Sequence, residues 1–294
     1  MENKKRKRRW GDRKEGRKLR TLDPMIKIMP YIMSKRSDSQ NFFTEKLDIT
    51  EAERFCREQT RAGKKNFSLL HVFIASYIRV VSQRPAINRF VSGQKIYARN
   101  NIEVLMTIKK KMALDGEETS IKVEFEPTDT IYDVYEKFNK VIEENKVETE
   151  HNSIDKLLKV FNIIPGWILK FVVWLIKTLD YYGLLPKSLL KISPMHGSMI
   201  ITSMGSLGIR PIYHHIYDFG NLPVFVAYGA KQHGVKMDSD GNVVKYRYVE
   251  MKVTTDERIC DGYYYASAFK MMKKIFENPS VLENPPEQVI EDID

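Results

Sequence analysis

The 294-residue sequence contains little cysteine and no obvious targeting segment. Its two cysteines, Cys56 and Cys260, are far apart and lack the spacing of metal ligands. We therefore expect neither a disulfide framework nor a metal site, and we expect a reducing compartment, the cytoplasm. The charged N-terminus is not followed by an apolar run, so it lacks the pattern of a secretory signal peptide. No internal repeat is visible, which argues against a repeat architecture.

The net charge of +10 is concentrated in the first twenty residues, which hold eleven Lys or Arg and three acids. The remaining residues hold 37 basic and 35 acidic side chains, so the body is near neutral and a nucleic-acid binder is not expected. This pattern predicts a basic, disordered tail over residues 1–22 and a single domain over 23–294. The tail either binds an anionic surface through counterion release or stays solvated without a specific partner.

Apolar periodicity predicts a mixed α/β domain. Residues 69–81 and 130–144 repeat apolar positions at helical spacing. Alternating or short apolar runs bounded by turns predict strands over 42–49, 102–109, 120–125, 198–203, 223–228 and 243–253. Many strands with short turns after a helix-rich opening indicate one large sheet.

An apolar insertion covers about 154–191. Its central part, 157–179, is rich in large apolar residues, but Pro165-Gly166 divides it into pieces shorter than the roughly 20 residues that span a bilayer. The second piece combines two tryptophans with two lysines: Trp167, Trp174, Lys170 and Lys177. That combination is typical of a helix lying in a membrane interface. A helix pair in the core or at an oligomer interface is the alternative.

Two short motifs carry the candidate chemistry. Residues 256–262 read Asp-Glu-Arg-Ile-Cys-Asp-Gly, between a predicted strand and a predicted helix. Residues 201–209 read Ile-Thr-Ser-Met-Gly-Ser-Leu-Gly-Ile, at the end of another predicted strand. Turns at the ends of rigid elements are common positions for functional groups.

These motifs resemble those of the acyltransferases related to chloramphenicol acetyltransferase, including the catalytic domain of the 2-oxoacid dehydrogenase dihydrolipoamide acyltransferases. The family pattern Asp-His-Arg-x-x-Asp-Gly is matched at Asp256, Arg258, Asp261 and Gly262, but Glu257 stands where the family has its catalytic His. The second motif resembles the family's Ile-Ser-Asn-Leu-Gly-x-x-Gly-Ile. The resemblance implies a chloramphenicol acetyltransferase-like two-layer α/β sandwich with a large mixed sheet, to which this chain adds the apolar helical insertion.

The resemblance also implies roles for individual residues. In the family, the His is the base for acyl transfer and a Ser or Thr hydroxyl stabilises the oxyanion. Carried over, this makes Thr202 the oxyanion donor, or its neighbour Ser203 if the register shifts by one. It also pairs Asp261, as a structural acid, with Arg36, for which a surface Arg without that role is the alternative. The predicted substrate-binding residues are Ser203, Arg258, Gly262 and His214. A coenzyme A thioester is the implied co-substrate, no cofactor is bound covalently, and the implied assembly is a homotrimer with sites between subunits.

Glu257 leaves the catalytic base open, because a carboxylate of ordinary pKa about 4.3 is a weak base for a thiol of pKa about 8.5. One interpretation is an inactive site whose fold is kept for binding or assembly. A second makes Glu257 the base for a different acceptor. In a third, another His takes over, and His214 and His215 are the candidates because they follow the second motif closely.

The sequence therefore predicts a stand-alone, coenzyme A-dependent acyltransferase-like protein with an altered base. The alternative is a catalytically inactive trimeric binding or scaffold protein. No lipoyl or subunit-binding domain is recognisable, so a swinging-arm core is not expected. Residues 1–20 and 157–179 together would supply the two weak anchors that peripheral attachment to the inner membrane face requires.

Overall fold

The structure is a computed structural model, which describes residues 7–109, 118–147 and 164–294. Its strands are β1 (Gly16–Lys18), β2 (Gln40–Asp48), β3 (Arg89–Ser92), β4 (Lys95–Arg99), β5 (Ile102–Lys109), β6 (Glu118–Phe125), β7 (Met199–Ser203), β8 (Val224–Tyr228), β9 (Gln232–Met237) and β10 (Val243–Asp256). Its helices are α1 (Pro24–Ile32), α2 (Thr50–Arg61), α3 (Leu69–Gln83), α4 (Ile131–Val147), α5 (Gly166–Tyr182), α6 (Lys187–Ile192) and α7 (Gly262–Glu277).

The described strands form one large mixed sheet and one small sheet. The large sheet has the order β2-β10-β8-β7-β5-β6, with β9 also paired to β10, and the small sheet has the order β1-β4-β3. Strand β7 runs parallel to both β5 and β8, whereas the other pairings are antiparallel. A parallel pair needs a long crossover, and the one from β5 to β7 contains α4, α5 and α6.

The main core lies between one face of the large sheet and the helices α2, α3, α4 and α7. In β10, the inward positions Val249, Met251 and Val253 are buried because successive side chains of a strand point to opposite faces. Phe73 of α3 stacks on Tyr228 of β8, with ring centroids 4.4 Å apart. The predicted mixed α/β domain with one large sheet is therefore confirmed.

The disordered tail expected over residues 1–22 is described only from residue 7, and in that part the chain is ordered from Gly16 onward, while residues 1–6 lie outside the described residues. Gly16–Lys18 forms β1 and pairs with β4, while Leu19 and Leu22 are buried. The Arg17 guanidinium donates to backbone carbonyls of Asp292 and Ile293. The composition of the segment concealed this because two leucines and a three-residue strand give little signal among eleven basic residues.

The predicted insertion contributes α5 and α6, while its residues 154–163 lie outside the described part of the chain. No residue of α5 is buried. The helix is fixed near its C-terminal end, where Asp180 lies 3.1 Å from the ring of buried His196 and Tyr181 hydrogen-bonds to Gln94 at 2.7 Å. Among the described residues, no helix is long and apolar enough to cross a membrane.

Candidate active site

The first motif forms the turn between β10 and α7. β10 ends at Asp256, and α7 begins after Asp261, whose carboxylate accepts a hydrogen bond from the backbone N–H of Tyr264 at 2.8 Å. Asp261 is therefore an N-cap, which satisfies one of the unpaired N–H groups of the first helical turn. Gly262 follows it on the exposed side of the turn.

A buried ion cluster holds this turn in place. The carboxylate of Asp256 is 1% exposed and lies between two guanidinium groups, Arg258 at 2.7 Å and Arg36 at 3.2 Å. Burial alone would raise the pKa of Asp256, but the hydrogen bonds and charge of Arg258 and the charge of Arg36 outweigh it, so this pKa lies below its ordinary value. Arg36 also donates to the carbonyls of Tyr217 and Gly220, at 2.6 and 3.0 Å. The cluster thereby ties the end of β10 to the segment before β8.

The structure corrects the pairing predicted for Arg36. Its partner is Asp256, not Asp261, because Asp256 points inward from the last position of β10 whereas Asp261 is exposed at the start of α7. Arg258, predicted to bind substrate, is itself buried and donates to Asp256 and to the carbonyl of Met33. Its visible role is therefore to hold the turn.

Glu257 lies between these two buried residues and is exposed. Its backbone N–H donates to the carbonyl of Ser39 at 2.8 Å, and the N–H of Arg258 donates to the Asp256 carboxylate at 3.1 Å. In the described part of the chain, the Glu257 carboxylate makes no hydrogen bond or ion pair. Glu257 is thus a free carboxylate on a firmly held backbone.

The second motif places its two hydroxyl residues on opposite faces of the sheet. In β7, Thr202 pairs with Ala227 and Ser203 pairs with Tyr228. Because Tyr228 packs on α3 on the helical face, Ser203 faces the helices and Thr202 faces away from them.

Ser203 lines a cleft of about 880 Å³ between α2, the start of α3 and the strands β8 and β10. Its wall carries four basic side chains: Arg57, Arg61, Lys231 and Arg247. Buried Glu53 pairs with Lys231 at 2.6 Å and with Arg247 at 2.8 Å. In the described part of the chain, Arg57 and Arg61 have no ion pair. The walls of this cleft are far apart in the chain, so no local sequence pattern identifies it, although Arg57 and Arg61 are spaced to share one face of α2.

The two candidate histidines lie in the segment that crosses the other face of the sheet. His214 stacks on Phe225 with ring centroids 4.5 Å apart. Phe225 pairs with Ile200, two positions before Thr202, so His214 and Thr202 share that face. Burial, and then the charge of His215, lower the pKa of His214, whose Nε2 is buried without a hydrogen-bond partner in the described structure. His215 is exposed and contacts the ring of Tyr217 edge-on.

One chain does not bring the two motifs together. Thr202 of β7 and Lys252 of β10 both pair with Ala227 of β8, so they lie at the same position along the strand direction. Asp256 is four residues further along β10, about 13 Å at the usual strand rise. Thr202 and Glu257 therefore lie at different ends of the sheet. No group of His, Cys, Asp or Glu that could hold a metal ion occurs among the residues described.

Comparison with known proteins identifies the fold. No family model and no curated protein sequence matches this chain. A probable dihydrolipoamide acetyltransferase from Listeria monocytogenes is 14% identical with a TM-score of 0.54, covering 89% of this chain and 95% of that one. The Azotobacter vinelandii dihydrolipoamide acetyltransferase is 12% identical with a TM-score of 0.57, covering 90% and 93%. A chloramphenicol acetyltransferase is 10% identical with a TM-score of 0.54, covering 88% and 99%. The predicted chloramphenicol acetyltransferase-like α/β fold is therefore confirmed.

Replacing Asp256 with Asn tests the ion cluster. Two buried guanidinium groups would then lack their counter-charge, so we expect a loss of about 3–5 kcal/mol in the free energy of unfolding at pH 7. The pKa of Asp256 is lower in the folded state than in the unfolded state, where it is about 3.9. The ionised carboxylate therefore stabilises the fold at pH values above about 3.9, and this contribution disappears as the pH falls. The difference between wild type and Asp256→Asn should therefore shrink below about pH 4.

Urea unfolding at several pH values measures this difference. Asp240→Asn, at an exposed hairpin turn, is the matched control and should change the free energy by less than about 0.5 kcal/mol. An Asp256→Asn variant as stable as the control at pH 7 would refute the structural role of the cluster.

Proposed function

We propose that this chain is a coenzyme A-dependent acyltransferase-like protein that acts as a homotrimer and has an altered catalytic base. The observation that carries the proposal is the cleft of about 880 Å³ that contains Ser203 and has the unpaired Arg57 and Arg61 on its wall. The shared fold supports it, because the similar proteins named above are acetyltransferases.

The lining of the cleft suits a long anionic thioester. Coenzyme A carries phosphate groups at one end and a flexible, largely uncharged arm that ends in sulfur. Guanidinium groups bind phosphate oxygens in a bidentate fashion, so Arg57 and Arg61 would hold the phosphates. The apolar side chains of Phe67, Leu69 and Leu70 would contact the arm. The thioester would then reach towards Ser203.

Ser203 is the better candidate for the oxyanion donor because it lines the cleft and Thr202 does not. In acyl transfer, the acceptor attacks the thioester carbon, loses its proton to a base, and the carbon–sulfur bond breaks while the sulfur is protonated. A hydroxyl beside the carbonyl oxygen stabilises the negative charge that develops there. Thr202 stays the alternative donor if the reaction takes place on the other face of the sheet.

The spacing of the motifs supports Glu257 at the position of the base. A serine, a histidine and an asparagine have been investigated for their role in catalysis by the Azotobacter enzyme, where the histidine follows the serine by 52 positions and precedes the asparagine by four. Here Glu257 follows Ser203 by 54 positions and precedes Asp261 by four. His214 is the competing base, since its lowered pKa keeps the ring neutral at pH 7.

The separation of the motifs supports an assembly in which one subunit supplies the turn at Glu257 and another supplies the end of β7. Exposed apolar side chains near both motifs would become buried in that contact, namely Phe42, Leu207, Ile209, Ile212, Tyr213 and Tyr217. An inactive trimeric scaffold is the second candidate function, favoured by the carboxylate at the position of the family base.

Sedimentation equilibrium tests the assembly. We expect a mass three times the 34.4 kDa of one chain, because the resemblance implies a homotrimer and a site that uses both motifs needs a second subunit. A species that stays monomeric across the concentration range would contradict the shared site.

Calorimetric titration with coenzyme A and acetyl-coenzyme A tests the cleft. We expect Arg57→Ala/Arg61→Ala to weaken binding by at least about tenfold, since two charge-assisted contacts are lost. Arg54→Ala is the matched control, because Arg54 lies on the same helix but pairs with Glu51. If the wild-type protein does not bind coenzyme A at millimolar concentration, the proposed function is wrong. If the double variant binds coenzyme A as tightly as wild type, the ligand binds at another site.

Restoring the family base tests the chemistry. We expect Glu257→His to raise acyl transfer from acetyl-coenzyme A to a small thiol by about 10²-fold or more, because imidazole is the stronger base near pH 7. Ser203→Ala in the same background should remove most of that gain. Loss of basal activity in Glu257→Gln but not in His214→Gln would assign the base to Glu257, and the reverse to His214. No activity in any of these proteins would support the scaffold.

A further inference from the structure

One face of α5 presents an aromatic stripe to solvent. Trp167, Phe171 and Trp174 follow the i, i+4, i+7 spacing of a single helix face, and they are 75%, 56% and 59% exposed. Lys170 lies one helical turn after Trp167, and Lys177 lies one helical turn after Trp174. Both lysines are exposed along the edge of the stripe. A soluble helix normally buries such a face, so the stripe indicates a partner.

The exposed charged side chains of α5, Lys170 and Lys177, are both positive. The only acidic residue of α5 is Asp180, which is partly buried and joined to His196. Contact between two copies through this face would bring Lys170 and Lys177 close to the same lysines of the other copy, which is unfavourable. The charge therefore favours an anionic partner.

The N-terminal segment packs against the C-terminal end of α5 and the residues that follow it. The Arg13 guanidinium donates to the carbonyl of Tyr181 at 2.6 Å, and Lys14 donates to the carbonyl of Leu185. Gly183 ends α5 with φ +71°, and a Cβ there would lie 2.0 Å from the Arg13 guanidinium. Two regions separated by 168 residues are thus packed together by contacts that a larger residue at 183 would disrupt.

The residues that precede Arg13 are basic, aromatic and exposed. Lys7 and Arg8 are exposed, and Trp10 is 97% exposed. Trp10 is three residues before Arg13, at most about 10 Å of extended chain. We call the exposed residues of both regions the basic–aromatic surface: Lys7, Arg8, Trp10, Trp167, Lys170, Phe171, Trp174 and Lys177.

We propose that the basic–aromatic surface binds the anionic face of a lipid bilayer, with α5 lying in the plane of the headgroups. Indole rings are favourable in the headgroup region, and lysines beside them are attracted to anionic lipid. Two weak attachments, an apolar helix face and a basic segment, together give stable peripheral binding where either alone does not. Lys177 shares a small pocket with Arg36 and Arg258, but no residue of the basic–aromatic surface lines the cleft beside Ser203, so the proposal does not depend on acyl transfer.

The tryptophans make the proposal directly measurable. All three tryptophans of the chain belong to the basic–aromatic surface. Fluorescence excited selectively at tryptophan, and not at the tyrosines of the chain, therefore reports on this surface alone. We expect a blue shift and co-sedimentation of the full chain with vesicles of phosphatidylglycerol and phosphatidylcholine. Vesicles of phosphatidylcholine alone should bind much less, and binding to the anionic vesicles should fall as salt screens the charges.

Two sets of substitutions separate the contributions of the rings and the charges. Trp167→Ala/Phe171→Ala/Trp174→Ala should reduce co-sedimentation with anionic vesicles by at least about tenfold, since it removes the inserted apolar area. Lys170→Glu/Lys177→Glu should abolish the preference for anionic lipid. Substitutions are used because truncation would also remove β1 and Leu19 from the fold.

A matched control removes equal exposed apolar character elsewhere. Val235→Ala/Met237→Ala/Val243→Ala changes three residues of the β9–β10 hairpin that are 66%, 72% and 71% exposed, and it should bind like wild type. Circular dichroism and urea unfolding check that the variants are folded. The proposal is overturned if wild type does not co-sediment with anionic vesicles, or if it binds neutral vesicles equally well. It is also overturned if the aromatic variant co-sediments with anionic vesicles as well as wild type does. It is also overturned if wild type binds no vesicles while the aromatic variant changes the mass in solution, which would assign the stripe to a contact between copies.

Discussion

The buried carboxylate of Asp256 between the guanidinium groups of Arg36 and Arg258 is the interaction on which the candidate site depends. It fixes the last residue of the longest strand, the turn that follows it, and the carbonyls of the segment before β8. A buried ion cluster of this kind contributes little net stability compared with apolar packing, but loss of one member is costly. Its consequence here is positional: Glu257 projects from a backbone that has little freedom to move.

The direction of the strands adds a second constraint. β7 and β10 carry the two motifs to different ends of one sheet, so rigid packing keeps the hydroxyl residues away from Glu257 within a chain. Flexible loops could close such a gap, but both motifs sit on strand ends inside the core architecture. A shared site between subunits is therefore the simplest arrangement that uses both motifs. In the proposed function, the basic cleft beside Ser203 would hold the anionic thioester in that arrangement.

The insertion and the N-terminal segment are both poorly suited to burial in the core. The insertion exposes aromatic rings, and the N-terminal segment is crowded with positive charge. Packing of Arg13 against the end of α5 places them together, and Asp294 neutralises part of the basic segment through its ion pairs with Arg9 and Arg17. Lys7 and Arg8 of that segment, and Lys170 and Lys177 beside the aromatic stripe, stay exposed.

The sequence by itself determined the mixed α/β sheet and the position of both motifs at strand ends, because apolar alternation and helical periodicity are local properties. It also identified the apolar insertion, whereas the replacement of a catalytic His by Glu257 stays a prediction from the resemblance. Only the tertiary structure decided that Arg36 pairs with Asp256, that Ser203 rather than Thr202 lines the cleft, and that the basic segment forms β1. These outcomes depend on which faces of distant strands meet and on which charges share a buried volume. Such contacts join residues far apart in the chain, and no local pattern specifies them.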